Sequence, residues 1–79
     1  MPSSIIPSSR LKEGQRAAIV ECTEQSLLDY GFVRGAALRC VRRGREGCVF
    51  LLSGRRFALQ RALCEKIFVK IKDERETRK

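Results

Sequence analysis

One stretch, Leu27 to Val69, constrains the fold of this chain more than any other. At its start, Leu27-Leu28-Asp29-Tyr30-Gly31-Phe32-Val33-Arg34-Gly35 reads as a short helix stopped by glycine and turned straight into a strand. Gly31 suits the left-handed position just past a helix end, where a side chain costs energy, and Gly35 allows a second tight bend. At its end, Leu59-Gln60-Arg61-Ala62-Leu63-Cys64-Glu65-Lys66-Ile67-Phe68-Val69 reads as the end of a strand, one helical turn and a closing strand. Between these joints lie the loop Gly44-Arg45-Glu46-Gly47 and the tight-turn pair Ser53-Gly54. Short strands joined this tightly must protect their edges, and a small closed barrel does so.

The remaining elements follow from pattern. Residues 17–22 form a first strand whose apolar residues occupy both parities, so its inward face stays open and a bulge is allowed. Thr23 is placed to cap a helix over residues 24–30, with Leu27 and Leu28 packing inward. The second strand spans 36–43, with Leu38 and Cys40 on one face and Arg39 and Val41 on the other. The third, 48–52, is almost continuously apolar, as a strand covered on both faces would be. The fourth, 55–60, turns Phe57 and Leu59 inward. After a helical turn at 61–65, the last strand turns Ile67, Val69 and Ile71 inward and Lys66, Phe68, Lys70 and Lys72 outward. Ser9 can cap a single turn at 10–12, which Gly14 breaks; Gly14, Gly31, Gly35 and Gly54 are the structural turn glycines. Residues 1–9, rich in Ser and Pro, read as a flexible N-terminal arm, residues 10–72 as the folded unit, and residues 73–79 as a disordered charged tail. The expected fold is mainly β: an SH3-like barrel of about five strands, with one short helix after strand 1 and a helical turn before the last strand.

With 79 residues this is one small domain. A chain of this size buries only about 60 % of its unfolded surface. No apolar run approaches the ~18 residues of a membrane span, so no membrane insertion is expected. The N-terminus carries no secretory signal, which points to the cytoplasm. The cysteines, Cys22, Cys40, Cys48 and Cys64, are widely spaced, each sits in or beside an apolar run, and the chain has no histidine. They read as structural thiols, with a zinc site and disulfides as the alternatives. Cys40 and Cys48 are the weak candidates for reactivity or metal, because arginines lie near them in the sequence.

Charge says more. The net charge is +8, and from Arg34 to Arg61 the chain carries eight arginines, no lysine and one acid, Glu46. The plain reading is a solvated face. Arginine adds a reason to think of recognition, because its planar fork pairs carboxylate or phosphate with two hydrogen bonds. Arg39, Arg42, Arg43, Arg45, Arg55 and Arg56 are the candidate partner-binding residues, facing an acidic protein, nucleic acid or anionic headgroups. Catalysis has little to work with: no histidine, no nucleophile elbow, no phosphate-binding loop ending in Gly-Lys-Ser/Thr. A nucleic-acid reading wants stacking aromatics, and only Phe68 falls on an outward position.

Three segments carry a family resemblance. Leu11-Lys12-Glu13-Gly14-Gln15-Arg16-Ala17-Ala18-Ile19-Val20 is similar to the Leu-x-x-Gly-x-x-Ala-x-Ile/Val opening of FeoA-type domains. The Leu27–Gly35 segment resembles their Leu-x-x-Leu/Met-Gly-Leu/Phe/Met-x-x-Gly core, and Leu59–Val69 their closing motif, with Gln60 where Arg is usual and Cys64 where Ala is usual. The loop at 44–47 lacks the family's Pro-x-Gly-x-Pro. The resemblance spans roughly residues 10 to 71. It implies an SH3-like barrel serving bacterial ferrous-iron uptake as a non-enzymatic adaptor, binding the cytoplasmic side of FeoB, the permease with a G-protein domain. The docking side expected for that partner is the basic strand 2–strand 3 side. The same resemblance brings an association with transition-metal binding. A nucleic-acid-binding barrel and a metal-dependent regulatory domain using the cysteines are the competing expectations.

Overall fold

The computed structural model describes residues 5–72. Six strands form one antiparallel sheet in the order β1-β6-β2-β3-β4-β5. The strands are β1 (Ile5–Pro7), β2 (Arg16–Cys22), β3 (Ala37–Arg43), β4 (Gly47–Leu52), β5 (Arg55–Gln60) and β6 (Ile67–Ile71). A 3-10 turn at Ser8–Arg10 and two one-turn helices, α1 (Gln25–Leu28) and α2 (Arg61–Cys64), complete the element set. The strongly curled sheet wraps a core centred on Phe32 and Phe50 and filled by Leu11, Ile19, Leu38, Leu52, Ile67 and Val69, all fully buried.

The expected β-meander, closing strand and helical turn stand as read, and Gly14, Gly31, Gly35 and Gly54 all take positive φ. Gly31, at φ +105°, ends α1: the Phe32 N–H reaches back to the Leu27 carbonyl at 3.3 Å and swings its ring into the core. Ser53 and Gly54, at φ +53° and +81°, form the two-residue β4–β5 turn, the pattern that matches strand twist.

Several expectations are corrected. Residues 5–9 are not a loose arm. Ile5–Pro7 pair with Lys70–Phe68 of β6 as a sixth strand, and the single helical turn lies at 8–10 rather than 10–12. The buried Ser8 hydroxyl donates to the Cys64 carbonyl at 2.7 Å, pinning this segment under α2. Residues 1–4 and the tail at 73–79 lie outside the described residues. Thr23 is not a helix cap: its N–H and hydroxyl both donate to the Lys66 carbonyl, at 2.9 and 3.3 Å, which prolongs the β2–β6 pairing, and α1 starts after Glu24 with no side-chain cap. Leu27 is buried but Leu28 only half so. β4 is not covered on both faces: Cys48, Phe50 and Leu52 are buried while Val49 and Leu51 are half-buried. Ile71, expected inward, is 36 % exposed at the sheet's end.

Two bulges settle what simple alternation left open. In β2 the register against β6 shifts between Ile19 and Glu21, and in β3 the register against β4 shifts between Cys40 and Arg42. Strict alternation from buried Ala17 and Ile19 would turn Glu21 inward, and from Leu38 and Cys40 it would turn Arg42 inward. Each bulge inserts one residue, and both charged side chains stay exposed.

A candidate protein-docking face

The β3–β4–β5 meander fixes where the arginines go. Residues paired directly across antiparallel strands share a face. Arg16 of β2 pairs with Arg39 of β3, Arg39 with Leu51 of β4, and Leu51 with Arg56 of β5. The result is a row across four strands, three arginines with a half-buried leucine between them. After the β3 bulge a second row begins: Arg42 pairs with Val49, and Val49 with Ala58. Val49 and Leu51 thus form an apolar strip along the middle strand, flanked by guanidinium groups.

Two hollows lie along this surface. An open groove of about 490 Å³ is lined by Arg42, Arg43, Arg45, Val49, Ala58 and Gln60, among others. A second, of about 300 Å³, is lined by Arg16, Arg39, Leu51 and Lys72 at the Ser53-Gly54 turn. The loop at 44–47 above the groove is held in place. Gly44 N–H donates to the Gly47 carbonyl at 2.8 Å, Arg61 N–H donates to the Glu46 carbonyl at 2.8 Å, and an Arg61 guanidinium N–H reaches the Arg45 carbonyl at 3.3 Å. Gly47 is required by contact: a Cβ there would lie 2.0 Å from the Leu59 carbonyl oxygen.

The candidate residues therefore divide into neighbouring sets. Arg39 and Arg56 share the first row, while Arg42, Arg43 and Arg45 ring the groove. Arg55 sits beside the Ser53-Gly54 turn, opposite buried Leu52. Among the described residues, no carboxylate lies within ion-pair distance of Arg39, Arg42, Arg45, Arg55 or Arg56; the ion pairs found there are Arg61–Glu65 at 3.9 Å and Lys66–Glu24 at 3.3 Å. The Glu13 carboxylate accepts the Arg43 backbone N–H at 3.0 Å. Sequence reasoning missed Arg16 and Lys72, which only the β2–β3 register and the end of β6 bring to this face. It also missed Leu51 at the row's centre, for which the two-residue turn supplied a usable signal.

Cys40, Cys48 and Cys64 converge although far apart in sequence: the Cys40 and Cys64 thiols both face Cys48, and all three are buried. Cys40 donates to the Arg42 carbonyl at 3.7 Å and Cys64 to the Leu59 carbonyl at 3.6 Å. Burial, followed by repulsion from Cys48, pushes the Cys40 thiol up to about 11 and the Cys64 thiol up to about 12. A metal needs thiolates, and this pocket favours neutral thiols. Among the described residues no group of three or more His, Cys, Asp or Glu side chains could hold a metal ion. The described residues do not fit a resident transition metal. Cys22 stands apart, half-buried, with its thiol on the Glu24 carbonyl at 3.6 Å. Phe68 is no open stacking platform: it is half-buried, with Pro7 and Glu21 as its cross-strand neighbours. Among the described residues no helix is long and apolar enough to cross a membrane.

Comparison with known proteins agrees with this architecture. A family model described as the FeoA domain matches residues 8–71. The solution structure of a FeoA protein from Chlorobium tepidum is 28 % identical, with a TM-score of 0.78, over 86 % of this chain and 71 % of that one. The crystal structure of an iron uptake regulatory protein (FeoA) is 22 % identical, with a TM-score of 0.80, over 87 % of this chain and 99 % of that one. The T. acidophilum IdeR structure shares the fold at 15 % identity, with a TM-score of 0.77, over 91 % of this chain but only 36 % of that one. No curated protein matches.

Proposed function

This chain belongs to the FeoA domain family, and on that premise we propose that it is a non-enzymatic accessory protein of ferrous-iron uptake that docks on the cytosolic part of a FeoB-type permease and modulates it. One observation carries the docking face: Arg39 and Arg56 in one row and Arg42 in the next, with no carboxylate within ion-pair distance among the described residues, flank the apolar strip of Val49 and Leu51. An interface of this make-up gains its on-rate and register from charge, and its residence time from the apolar contacts and any desolvated arginine pairs. It calls for an acidic partner surface with an apolar centre.

The competing readings gain little from the geometry. Nucleic acid loses the Phe68 platform, which is half-covered with Glu21 opposite it across the strands, and is left with Tyr30 as the one largely exposed ring among the described residues. A metal-dependent regulator lacks a fitting donor set among the described residues.

The test is a titration of the permease's isolated cytosolic part with the native chain and with Arg42→Glu/Arg43→Glu/Arg45→Glu. The variant should remain folded and bind at least ~30-fold more weakly, since like-charge juxtaposition costs several kcal/mol. Native affinity in the reversed variant removes this face from the account. Binding of RNA or single-stranded DNA instead, lost steeply with salt, would favour nucleic acid.

A further inference from the structure

We infer that the free edge of β5 is a docking site for an extended acidic segment of a partner protein, which adds to the sheet as a further strand. The argument starts at the Ser53-Gly54 turn. Both central residues have positive φ, so the turn closes on the Leu52–Arg55 pair through the turn hydrogen bond. Antiparallel pairs alternate between bonded and non-bonded, so Phe50–Phe57 is bonded, and Leu51–Arg56 and Val49–Ala58 are not. The N–H and C=O groups of Arg56 and Ala58 therefore point away from β4. Among the described residues no other element receives a backbone hydrogen bond from them, and both residues are exposed.

Sheet edges of this kind are normally blunted. The opposite edge, β1, is three residues long and ends in Pro7. β5 is six residues long, has an unbroken register and contains no proline. Its protection is charge, Arg55 and Arg56. That charge discriminates between occupants: a second copy of this chain would bring another net charge of +8 to an edge that already carries Arg55 and Arg56, whereas an acidic strand is attracted.

The two faces beside the edge differ, so the occupant's alternate residues meet different surroundings. On the inner side the Tyr30 ring, 58 % exposed, leans on half-buried Phe57 with centroids 5.7 Å apart. Phe32 backs Phe57 from the core at 5.1 Å. On the outer side lies the row of Arg56, Leu51 and Arg39. The preferred segment therefore alternates apolar residues, toward Tyr30 and Phe57, with acidic residues toward Arg56. The inference does not depend on which protein supplies the segment, and loss of permease binding would leave it standing.

The experiment is a titration of ¹⁵N-labelled full chain with the capped peptide (Glu-Val)₄. The Arg56 and Ala58 amides should shift and gain at least tenfold protection from hydrogen exchange. Two analogues, N-methylated at every Glu or at every Val, keep all charges but block opposite edges of the peptide. One should lose at least tenfold in affinity and the other should bind as the parent does. Ala58→Pro removes one outward N–H at a position where an edge strand tolerates proline, and should also lose binding; should it fail to fold, the methylated peptides decide the question on the native chain. Equal binding of parent and both analogues, or no protection at Ala58, overturns the proposal. So does a free chain that sediments as a dimer with the Ala58 amide already protected.

Discussion

The two sides of this small sheet treat their polar groups in opposite ways. Along the seam of β1, β6 and β2, polar groups are matched to one another. Ser8 donates to Cys64 from a buried position, Thr23 twice to Lys66, and the Lys66 ammonium pairs with Glu24 at 3.3 Å. Across β3, β4 and β5, Arg39, Arg42 and Arg56 meet no carboxylate among the described residues, and the strand between them shows apolar side chains to solvent. The seam closes the fold. On the arginine face the like charges are exposed, where solvent and salt screen their mutual repulsion.

The contrast can be broken most forcefully at the seam. A chain starting at Ser8 loses β1, uncovers β6 and sheds the half-buried Ile6. It should lose about 2–3 kcal/mol, and its Tm should fall by more than ~8 °C in thermal unfolding followed by circular dichroism. An unchanged Tm would make these residues a loose arm after all. Ser8→Ala is the milder form. It removes the donor that satisfies the Cys64 carbonyl, at a cost of about 1–3 kcal/mol.

A pH dependence sharpens the picture of the cysteine cluster between the two sides. Cys40 and Cys64 titrate higher folded than unfolded, so the unfolded chain loses its thiol protons first. Their contribution is fully present below an ordinary thiol's pKa of about 9 and is lost as pH rises toward 11 to 12. Under reducing conditions stability should fall progressively in that window, and Cys64→Ala should flatten the fall while costing less than ~1.5 kcal/mol at neutral pH. A curve identical to the native one would place the alkaline sensitivity elsewhere. The smallest effect belongs to Glu24, whose carboxyl is held below its usual range by hydrogen bonds from Ser26 and Lys66 and by the Lys66 charge. Because its pKa is depressed in the folded state, its contribution is present near neutrality and lost as pH falls through that pKa. Glu24→Gln should remove this acid-side loss and change little else.

How much of this was legible depended on how local the signal was. The turns at Gly31, Gly35 and Ser53-Gly54, the inward Leu38, Cys40, Phe57, Leu59, Ile67 and Val69, and the helical turn before the last strand are written in neighbouring residues. β1 was hidden because three residues ending in proline carry no period of their own, and its pairing lies some sixty positions away. A bulge in the first strand was allowed by its mixed parity, but its place at Val20, and the bulge at Val41 altogether, were hidden for a related reason: an inserted residue is demanded by the partner strand's register. Thr23 reads as a cap by its position, but the sheet claimed its donors first. For the site, the arginines were visible as composition. Their division into rows, and the addition of Arg16 and Lys72, required knowing which strands lie side by side. The meeting of Cys40, Cys48 and Cys64 was equally non-local.

The most direct measurement is an NMR footprint of the permease's cytosolic part on the ¹⁵N-labelled chain. The account predicts that the amides of Arg39, Arg42, Val49, Leu51 and Arg56 shift or broaden, while those of Ile5–Arg10 and β6 stay in place. A footprint centred on the β1–β6 seam, with the arginine face undisturbed, would contradict it.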